Sequence, residues 1–458
     1  MSRFREHKLF YTFVILVDTL IVIGSYYAAF HVRFSIGNIP IRNMQAFLDV
    51  LPWMALISIL VFLLYDAYVI ASRVTWENIS STIVSVVVIA GLIGLASFTF
   101  RAFAFPRSII LIGACISLTA ILFWKYMLSI FIKDDTKNIL IIGTDEEVHH
   151  VQERVAQNMS KRANFISLPP DEKLDVMYSR IAKADNVFIC DSVDKRISQT
   201  LIQECMVKQV KVYVVPEAYE LLLSKADATT FDDLLVMSVK DWKLPPDKQI
   251  IKRIGDLVFS ICLLILTLPI MIVVALALKI SEPRHPVIYK QKRMTIDDKE
   301  FDIYKFRTMI PNAECNSGPV LASKSDERIT PVGRFLRATR LDELPQLFNV
   351  LKGDMSVVGP RPERPHFTKI YKKKYGAYRY RSAVKAGLTG LAQINGKYET
   401  DVEDKLRYDL YYIRNYSVFF DIVIILKTLK VLLDKQKASG VALPKKVKNM
   451  KESKNIGM

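Results

Sequence analysis

The sequence contains few of the side chains that form disulfides or bind zinc, with five cysteines and six histidines in 458 residues. No two cysteines form a C-x-x-C pair, and no cluster of histidines accompanies them. A disulfide scaffold and a structural zinc site are therefore not expected, and the cysteines are predicted to be isolated thiols, buried or reduced. Their positions are Cys115, Cys190, Cys205, Cys262 and Cys315.

Acidic residues are scarce relative to basic ones, 46 against 63, which gives a formal net charge of +17. This balance suits nucleic acid, anionic lipid headgroups and phosphorylated substrates. Hydrophobic residues make up 51% of the chain, and they are concentrated in long runs that are typical of membrane segments. These runs favour lipid and phosphorylated substrates, so we expect no nucleic acid partner.

Four stretches in the first third of the chain have little charge, and each approaches the roughly 20 residues that a helix needs to cross a bilayer. They are Leu9–Phe30, Phe47–Ile70, Ile79–Phe100 and Ile109–Ile132. The first is too long for the core of a signal peptide, and no small-residue cleavage site follows it. We therefore predict a four-helix transmembrane bundle over residues 1–134. Its charged residues Asp18, Asp66 and Lys125 either face the bundle interior or reach out from a helix end.

Residues 135–248 alternate short apolar runs with polar helical stretches, which predicts an α/β Rossmann-like module with a small parallel sheet. The predicted strands are Asn138–Ile142, Asn186–Cys190, Val210–Val215 and Leu234–Val239, and Glu146–Gln157 is a predicted helix. A dinucleotide site needs several glycines after the first strand, so that the backbone can approach a pyrophosphate. Only Gly143 is present and acidic residues follow it, so the module is predicted to be accessory.

A fifth apolar run, Leu257–Leu278, contains no charged residue. As a straight helix it would span roughly 33 Å, enough for a bilayer core. Pro269 near its middle removes a helical hydrogen bond and kinks the chain. The sequence beyond Ser281 is polar, basic and rich in motifs, whereas residues 438–458 are Lys-rich and predicted to form a disordered basic tail.

The densest group of chemically useful residues lies between Arg337 and Leu347. Asp342 and Glu343 are adjacent at a predicted helix start, where their side chains point about 100° apart and cannot do the same job. One carboxylate can attack or hold a metal while the other handles a proton. Arg337 and Arg340 offer bidentate donors for phosphate oxygens. Taken alone, the segment also fits a solvated, salt-bridged face.

Three further segments carry cations or glycines. In Val358–Pro365 the prolines stiffen the backbone around Arg361 and place its guanidinium at low entropic cost, although a rigid surface turn has the same pattern. Tyr304–Met309 resembles a strand with one basic face, or an ordinary half-buried strand. Gly387–Gly396 is a glycine-punctuated loop that either cradles a nucleotide or simply turns.

Together, in this order and at this spacing, these motifs resemble the catalytic domain of the monotopic polyprenyl-phosphate phosphoglycosyl transferases, the bacterial sugar transferases. The resemblance runs from about residue 251 to residue 433, and the four spans plus the β-α-β module resemble the long form of the family. The residues that carry it are Lys252–Asp256, Tyr304–Met309, Thr330–Arg337, Leu341–Leu347, Gly353–Pro362 and Gly387–Gly396.

The resemblance implies that Asp342 is the nucleophile and a Mg²⁺ ligand, with Glu343 as its proton-handling partner. The expected phosphate-binding residues are Lys305, Arg307, Arg337, Arg340 and Arg361, and the residues expected to shape the nucleotide site are Pro360, Pro362 and Gln393. Many members have a small residue where this chain has Arg340, so a phosphate role is better supported for Arg337.

The activity implied is transfer of a sugar-1-phosphate from a UDP-sugar, by analogy UDP-glucose or UDP-galactose, to undecaprenyl phosphate. The products are UMP and a lipid diphosphate sugar, the first membrane-bound precursor of a capsule, exopolysaccharide or O-antigen. A homodimer is compatible with the resemblance. Two alternatives are a membrane-bound nucleotide-sugar dehydratase and a non-catalytic membrane regulator. The dehydratase needs a glycine fingerprint and a Tyr-x-x-x-Lys pair, and the sequence contains neither.

Arg3, Arg5 and Lys8 favour a cytoplasmic start in the bacterial inner membrane. Four spans return the chain to the cytoplasm. A fifth span would separate Asp342 and Glu343, which we call the dyad, from cytosolic nucleotide sugars. The resemblance and Pro269 together predict a re-entrant membrane helix over residues 254–280, within an α-rich monotopic catalytic domain over residues 249–437 on the cytoplasmic face.

Basic and aromatic residues are interleaved between His366 and Ala386, a segment without acids that suits an anionic membrane surface. Its cations are Lys369, Lys372, Lys373, Lys374, Arg379, Arg381 and Lys385, and its tyrosines are Tyr371, Tyr375, Tyr378 and Tyr380. Val418–Leu433 is apolar but interrupted by charges, and it is predicted to form an interfacial helix.

Overall fold

The computed structural model describes residues 8–34, 39–69, 75–99, 105–131, 136–158, 163–239, 241–310, 328–396 and 400–432. The chain divides into two compact units, Met1–Glu217 and Ala218–Met458. Cys115, Cys190, Cys205 and Cys262 are free thiols, as predicted. Arg3, Arg5, Cys315 and the predicted tail over residues 438–458 lie outside the described residues.

The protein is rich in helix, and the described residues include five helices that are long and apolar enough to cross a membrane. Four of them form the predicted bundle: α1 (Lys8–Arg33), α2 (Ile41–Leu64), α3 (Trp76–Thr99) and α4 (Arg107–Phe131). Large side chains such as Tyr26, Phe30, Met54 and Phe62 fill the space between these helices. These features are those of a membrane protein.

Two charged residues of the bundle face its interior. The Nζ of Lys125 lies 3.2 Å from Oδ2 of Asp18. The same Nζ donates to the carbonyl of Ala67 at 2.7 Å and to the hydroxyl of Thr82 at 3.2 Å. These partners come from all four helices or their ends, so the ion pair ties the bundle together. Asp66, in contrast, is exposed just beyond the end of α2.

The rest of the first unit contains a sheet of four parallel strands in the order β2-β1-β3-β4. Its strands are β1 (Lys137–Ile142), β2 (Ala163–Leu168), β3 (Asn186–Ile189) and β4 (Lys211–Val214), and they alternate with α5 (Asp145–Asn158), α6 (Leu174–Ile181) and α7 (Lys195–Val207). The predicted strands at β1, β3 and β4 are confirmed. β2 was not predicted because Asn164 and Ser167 interrupt its apolar residues.

The predicted strand at Leu234–Val239 forms, but its predicted place in the parallel sheet is wrong. After α8 (Ala218–Leu223), the strands β5 (Asp227–Phe231) and β6 (Leu234–Ser238) pair antiparallel as a separate hairpin in the second unit. The connection has two residues, and Asp232 has a φ of 58°. A tight hairpin of this kind joins only antiparallel strands.

The remainder of the second unit is mostly helical. α9 (Pro246–Ser281) leads into an antiparallel pair, β7 (Ile288–Met294) and β8 (Glu300–Phe306), and a short parallel pair is formed by β9 (Ser356–Val358) and β10 (Gly387–Thr389). The other helices are α10 (Pro331–Thr339), α11 (Gln346–Lys352), α12 (Pro365–Lys374), α13 (Leu391–Asn395), α14 (Val402–Arg414) and α15 (Val418–Leu432). Three 3₁₀ segments complete it: Ile296–Asp298, Leu341–Glu343 and Gly376–Ala383.

The start of α9 is fastened to two elements that follow the predicted catalytic pair, Asp342 and Glu343, in the chain. The Arg253 guanidinium donates to the carbonyls of Val350 and Leu351 at 2.6 and 2.8 Å. These carbonyls end α11, where a helix lacks internal donors and favours a cation. Asp256 accepts hydrogen bonds from the Ser356 hydroxyl at 3.0 Å and the Val357 amide at 2.9 Å. α11 and β9 are thereby held in fixed positions.

Candidate active site

Asp342 and Glu343 lie in a 3₁₀ turn between α10 and α11. The Thr330 hydroxyl caps the start of α10 by accepting the Gly333 amide at 3.0 Å. α10 ends at Thr339, and the next residue, Arg340, has a left-handed conformation with φ 56°. Such a conformation is costly for a residue other than glycine, and it breaks the helix immediately before the dyad. The predicted helix start is therefore a tight turn, in which neighbouring side chains diverge.

Glu343 is held between two cations. Its Oε1 lies 2.7 Å from Nζ of Lys305 on β8 and 3.1 Å from Nη2 of Arg361. Burial by itself would raise the pKa of this carboxyl, but the charges of Lys305 and Arg361 outweigh burial and hold the pKa well below its usual range. Glu343 is therefore ionised at neutral pH and fixes both cations.

Asp342 has the opposite electrostatic environment, although it is the next residue. It is 8% exposed, and burial, reinforced by the charge of Glu343, raises its pKa to about 6. Lys305, Arg337 and Arg361 limit this rise. Among the described residues, no group donates a hydrogen bond to the Asp342 carboxylate. Two neighbouring carboxylates whose pKa values move in opposite directions are suited to different chemical roles.

The predicted phosphate-binding residues do not all meet at the dyad. The Nε of Arg337 donates to the Thr308 hydroxyl at 2.9 Å, and the charges of Arg337 and Arg340 act on Asp342 and Glu343, respectively. Arg307 is placed elsewhere.

Arg307 is buried, and its guanidinium donates to the carbonyls of Pro286 and Leu278 at 2.9 and 3.4 Å. It also pairs with Glu282 at 3.3 Å. β8 ends at Phe306, so the regular alternation that predicted one basic face over Tyr304–Met309 does not extend to Arg307. The structure uses Arg307 to fasten the end of α9, and it does not bring this arginine to the dyad.

Arg361 projects from a rigid segment, residues 359–363, which we call the arginine loop. Pro360 and Pro362 are buried on either side of it, while the Arg361 side chain is 44% exposed. Each residue of the loop has one backbone group in a hydrogen bond of 2.6–3.1 Å. The partners are the amides of Gly387 and Met294, the carbonyl of Thr389, and the guanidinium groups of Arg293 and Arg381. The backbone that presents Arg361 is therefore fixed.

The glycine-punctuated segment, Gly387–Gly396, packs against the backbone of the arginine loop. A Cβ on Gly387 would lie 2.1 Å from the Gly359 nitrogen, and one on Gly390 would lie 2.2 Å from the Gly359 oxygen. Only glycine allows the two backbones to approach this closely. Gln393 donates to the Leu388 carbonyl at 3.2 Å, within the segment itself, and the structure does not bring it to the dyad. Pro269, the predicted break in the membrane helix, is exposed inside α9, and the helix continues through it without a break.

Sequence reasoning missed two residues that hold backbone segments next to the site. Arg381, predicted to face a membrane surface, is mostly covered and pairs at 2.6 Å with the buried Asp409 of α14. Asn349 is also buried; it accepts the Tyr304 amide at 2.9 Å and donates to the Asp302 carbonyl at 2.8 Å. Neither position has a local pattern that distinguishes it from a surface residue. Lys369, Lys373, Lys374 and Arg379 are exposed, as the surface prediction requires.

Comparison with known proteins decides the family. The family model described as bacterial sugar transferase matches residues 247–435. An uncharacterized sugar transferase of Bacillus subtilis, EpsL, is 40% identical over 187 residues, which cover 40% of this chain and 88% of the relative. The chain belongs to the bacterial sugar transferase family.

Two relatives of this sugar transferase have more specific names. A UDP-glucose:undecaprenyl-phosphate glucose-1-phosphate transferase of Klebsiella pneumoniae is 37% identical over 261 residues, covering 56% of this chain and 54% of the relative. A UDP-N-acetylgalactosamine-undecaprenyl-phosphate N-acetylgalactosaminephosphotransferase of Aeromonas hydrophila is 35% identical over 239 residues, covering 51% and 55%. The chain thus spans about half the length of these curated relatives.

Where strands β1 and β3 of the first unit end, a side chain of the chain itself fills the place at which an anion could bind. Both oxygens of Glu147 turn back onto this point, accepting the Thr144 amide at 2.9 Å, the Thr144 hydroxyl at 2.8 Å and the Ser192 amide at 3.2 Å. The start of α5 is where a dinucleotide pyrophosphate binds in such sheets. Because the chain's own carboxylate occupies it, the geometry disfavours the dehydratase alternative.

Proposed function

We propose that this protein is an undecaprenyl-phosphate sugar phosphotransferase, which moves a sugar-1-phosphate from a UDP-sugar to the lipid and releases UMP. The observation that carries the proposal is the pair Asp342 and Glu343, two adjacent carboxylates with opposite pKa displacements among the charges of Lys305, Arg337 and Arg361. The names of the Klebsiella and Aeromonas relatives support the substrate classes. A non-catalytic regulator would gain nothing from burying an ionisable Asp342.

In the proposed reaction, an oxygen of Asp342 attacks the phosphorus that bears the sugar, and the bond from that phosphorus to the UMP oxygen breaks. Asp342 then carries the phosphosugar as a mixed anhydride. An oxygen of undecaprenyl phosphate attacks the same phosphorus, the bond to Asp342 breaks, and the carboxylate is restored. Dividing one displacement into two is the benefit of a carboxylate nucleophile.

The cationic side chains around the dyad are proposed to bind the phosphate oxygens of the UDP-sugar. Arg361 is partly exposed and fixed through its backbone, so its guanidinium is preorganised to contact a bound diphosphate. Lys305 and Arg337 add positive charge around Asp342. The low pKa of Glu343 makes it a poor proton acceptor at neutral pH. We therefore propose that Glu343 positions Lys305 and Arg361, and that it does not have the proton-handling role that the resemblance implies.

The donor set at Asp342 fits a magnesium ion. Carboxylate oxygens are the ligands that Mg²⁺ prefers, and within the described part of the chain no donor occupies those of Asp342. We propose that Asp342 holds the ion, which neutralises the diphosphate when bound. Removal of Mg²⁺ with EDTA should abolish UMP release, and Ca²⁺, which prefers a larger and more flexible ligand set, should restore it poorly.

We further propose that α9 enters the membrane and returns to the same face. Its start is fastened to α11 and β9 by Arg253 and Asp256. Near its end, Leu278 packs with Phe306 and Leu336 and accepts Arg307. Both ends therefore belong to one charged, polar domain that cannot lie on two sides of a bilayer.

The middle of α9 has the surface that hydrocarbon requires. Ile265, Leu266 and Val273 are 69%, 73% and 65% exposed. Single cysteines at positions 248 and 300 of a cysteine-free variant test the topology in intact cells. An impermeant reagent should label neither position, and labelling of 300 but not 248 would mean that α9 spans the membrane.

We propose that the parallel sheet of the first unit is a Rossmann-like accessory module, and a homodimer remains a prediction. A fragment that begins at Ala218, the start of the second unit, should keep measurable transferase activity. A folded but inactive fragment would mean that the removed residues contribute to the site.

Incubation of the full chain with UDP-sugars and undecaprenyl phosphate, with UMP as the readout, tests the function itself. UDP-glucose and UDP-galactose are the expected donors, and UDP-N-acetylgalactosamine is the third to be compared. Absence of UMP with every UDP-sugar, in a folded preparation with Mg²⁺, would contradict the proposal. A dehydratase would instead change the sugar without needing the lipid.

A further inference from the structure

The hydrogen bonds behind the arginine loop connect Arg361 to a buried ion pair that does not touch the dyad. The Nη2 of Arg381 donates to the Arg361 carbonyl at 2.6 Å, and its Nη1 donates to the Tyr378 hydroxyl at 2.9 Å. Its Nε donates to Oδ2 of Asp409 at 2.6 Å. One guanidinium thus joins three acceptors on the arginine loop, a 3₁₀ segment and α14.

The side chains of this ion pair are largely shielded from solvent, which holds their relative position. The side chain of Asp409 is 2% exposed and that of Arg381 is 13% exposed. Arg361, in contrast, is 44% exposed and has a carboxylate of the dyad as its only charged contact in the salt bridges of the described residues. The direction of its guanidinium consequently depends on where its backbone is held.

We propose that Arg381 and Asp409 are positioning residues for the phosphotransfer, and that they act only by fixing Arg361 at the dyad. The inference rests on the proposed function. A planar guanidinium can hold all three acceptors at once. The compact ammonium of a lysine cannot span them, and its attraction to the Asp409 carboxylate would leave the loop carbonyl unbound. A displacement of about 1 Å in a positioned group can lower the rate by about a hundredfold.

A double-mutant cycle tests this coupling in the full chain. Arg381→Lys should lower kcat for UMP release by at least about tenfold, while KM for the UDP-sugar changes less. In an Arg361→Ala background, the same substitution should change kcat by less than about twofold, because the group through which it acts is gone. An equal loss in both backgrounds, or less than a twofold loss in the wild type, would overturn the proposal.

Arg407→Lys is the matched control. Arg407 also lies in the second unit and pairs with Glu403 and Asp404 of its own helix, α14, at 2.8 and 3.0 Å. The same chemical change there should leave kcat within about twofold of the wild type, since neither acid supports the arginine loop. A tenfold loss in the control would mean that any altered arginine on this unit lowers the rate, and this too would contradict the assignment.

Hydrogen exchange gives a readout that does not depend on the proposed reaction. The Gly387 amide donates to the Pro360 carbonyl and the Met294 amide to the Glu363 carbonyl, both at 2.9 Å. Both amides should exchange at least about tenfold faster in Arg381→Lys and at the wild-type rate in Arg407→Lys. Unchanged exchange in Arg381→Lys would overturn the positioning role, even if the wild type proved to have a different activity.

Discussion

Replacing Asp342 with asparagine should abolish turnover and stabilise the fold at the same time. The carboxylate is 8% exposed, and its pKa is raised from 3.8 to about 6, first by burial and then by Glu343. Since one pKa unit corresponds to 1.36 kcal/mol, keeping Asp342 ionised in the folded state costs about 3 kcal/mol. Asparagine has nearly the same shape and no charge, so it removes most of this cost.

The sign of the effect fixes its pH dependence. A carboxyl group whose pKa is higher in the folded state binds its proton more tightly when folded. The penalty is therefore absent below about pH 4, grows between about pH 4 and pH 6, and is complete above about pH 6. Asp342→Asn should exceed the wild type by about 2 kcal/mol at pH 8, and the difference should vanish as the pH falls to about 4.

Thermal unfolding of the solubilised protein in EDTA measures this difference. For a domain of this size, 2 kcal/mol corresponds to a rise in Tm of about 4–8 °C. Added Mg²⁺ should raise the Tm of the wild type but not that of the variant, because a ligand stabilises only the form that binds it. Asp302→Asn, an equal change at a carboxylate that is 43% exposed, should shift the Tm by less than about 1 °C.

Two results would refute the reasoning. The first is an Asp342→Asn protein that is no more stable than the wild type at pH 8, or whose advantage increases toward acid. The second is residual UMP release within about tenfold of the wild type, a barrier change of only about 1.4 kcal/mol, which is incompatible with a nucleophile.

Three further substitutions test the framework of the site. Gly387→Ala should displace the arginine loop and lower kcat by at least about tenfold, because the new Cβ would lie 2.1 Å from a backbone nitrogen; Gly376→Ala, with nothing within 4 Å, is the control for the UMP assay. Arg340→Val should cost about 1–3 kcal/mol more in chemical unfolding than Arg340→Asn, since a branched side chain tolerates a φ of 56° poorly. Lys252→Met should destabilise by about 3–5 kcal/mol by leaving the Asp421 carboxylate, 2.6 Å away, without its cation, and a second change of Asp421 to leucine should recover most of that loss in Tm.

Long periodic features could be predicted from the sequence because their physical cause is local. Each of the four runs of about 20 apolar residues became one helix, since a segment without water must satisfy its backbone internally. The strands at β1, β3 and β4 followed from compact apolar runs. The dyad and the arginine loop could also be predicted, because each is a short run of neighbouring residues. Two adjacent carboxylates and a Pro-Arg-Pro sequence can be recognised without knowing their tertiary contacts.

The tertiary structure decided which side chains and which strands pair with one another. Lys305 and Arg307 are two residues apart in a basic stretch, yet one reaches Glu343 and the other fastens the end of α9, because β8 ends between them. Leu234–Ser238 has the composition of a core strand. It pairs instead with Asp227–Phe231 in an antiparallel hairpin, because only two residues connect the two strands. Which cation meets which carboxylate depends on chain segments far apart in sequence, such as Arg381 and Asp409. The groups available for phosphate chemistry could be read from the sequence. Burial and long-range pairing decided which carboxylate has its pKa raised and which arginine is fixed beside it.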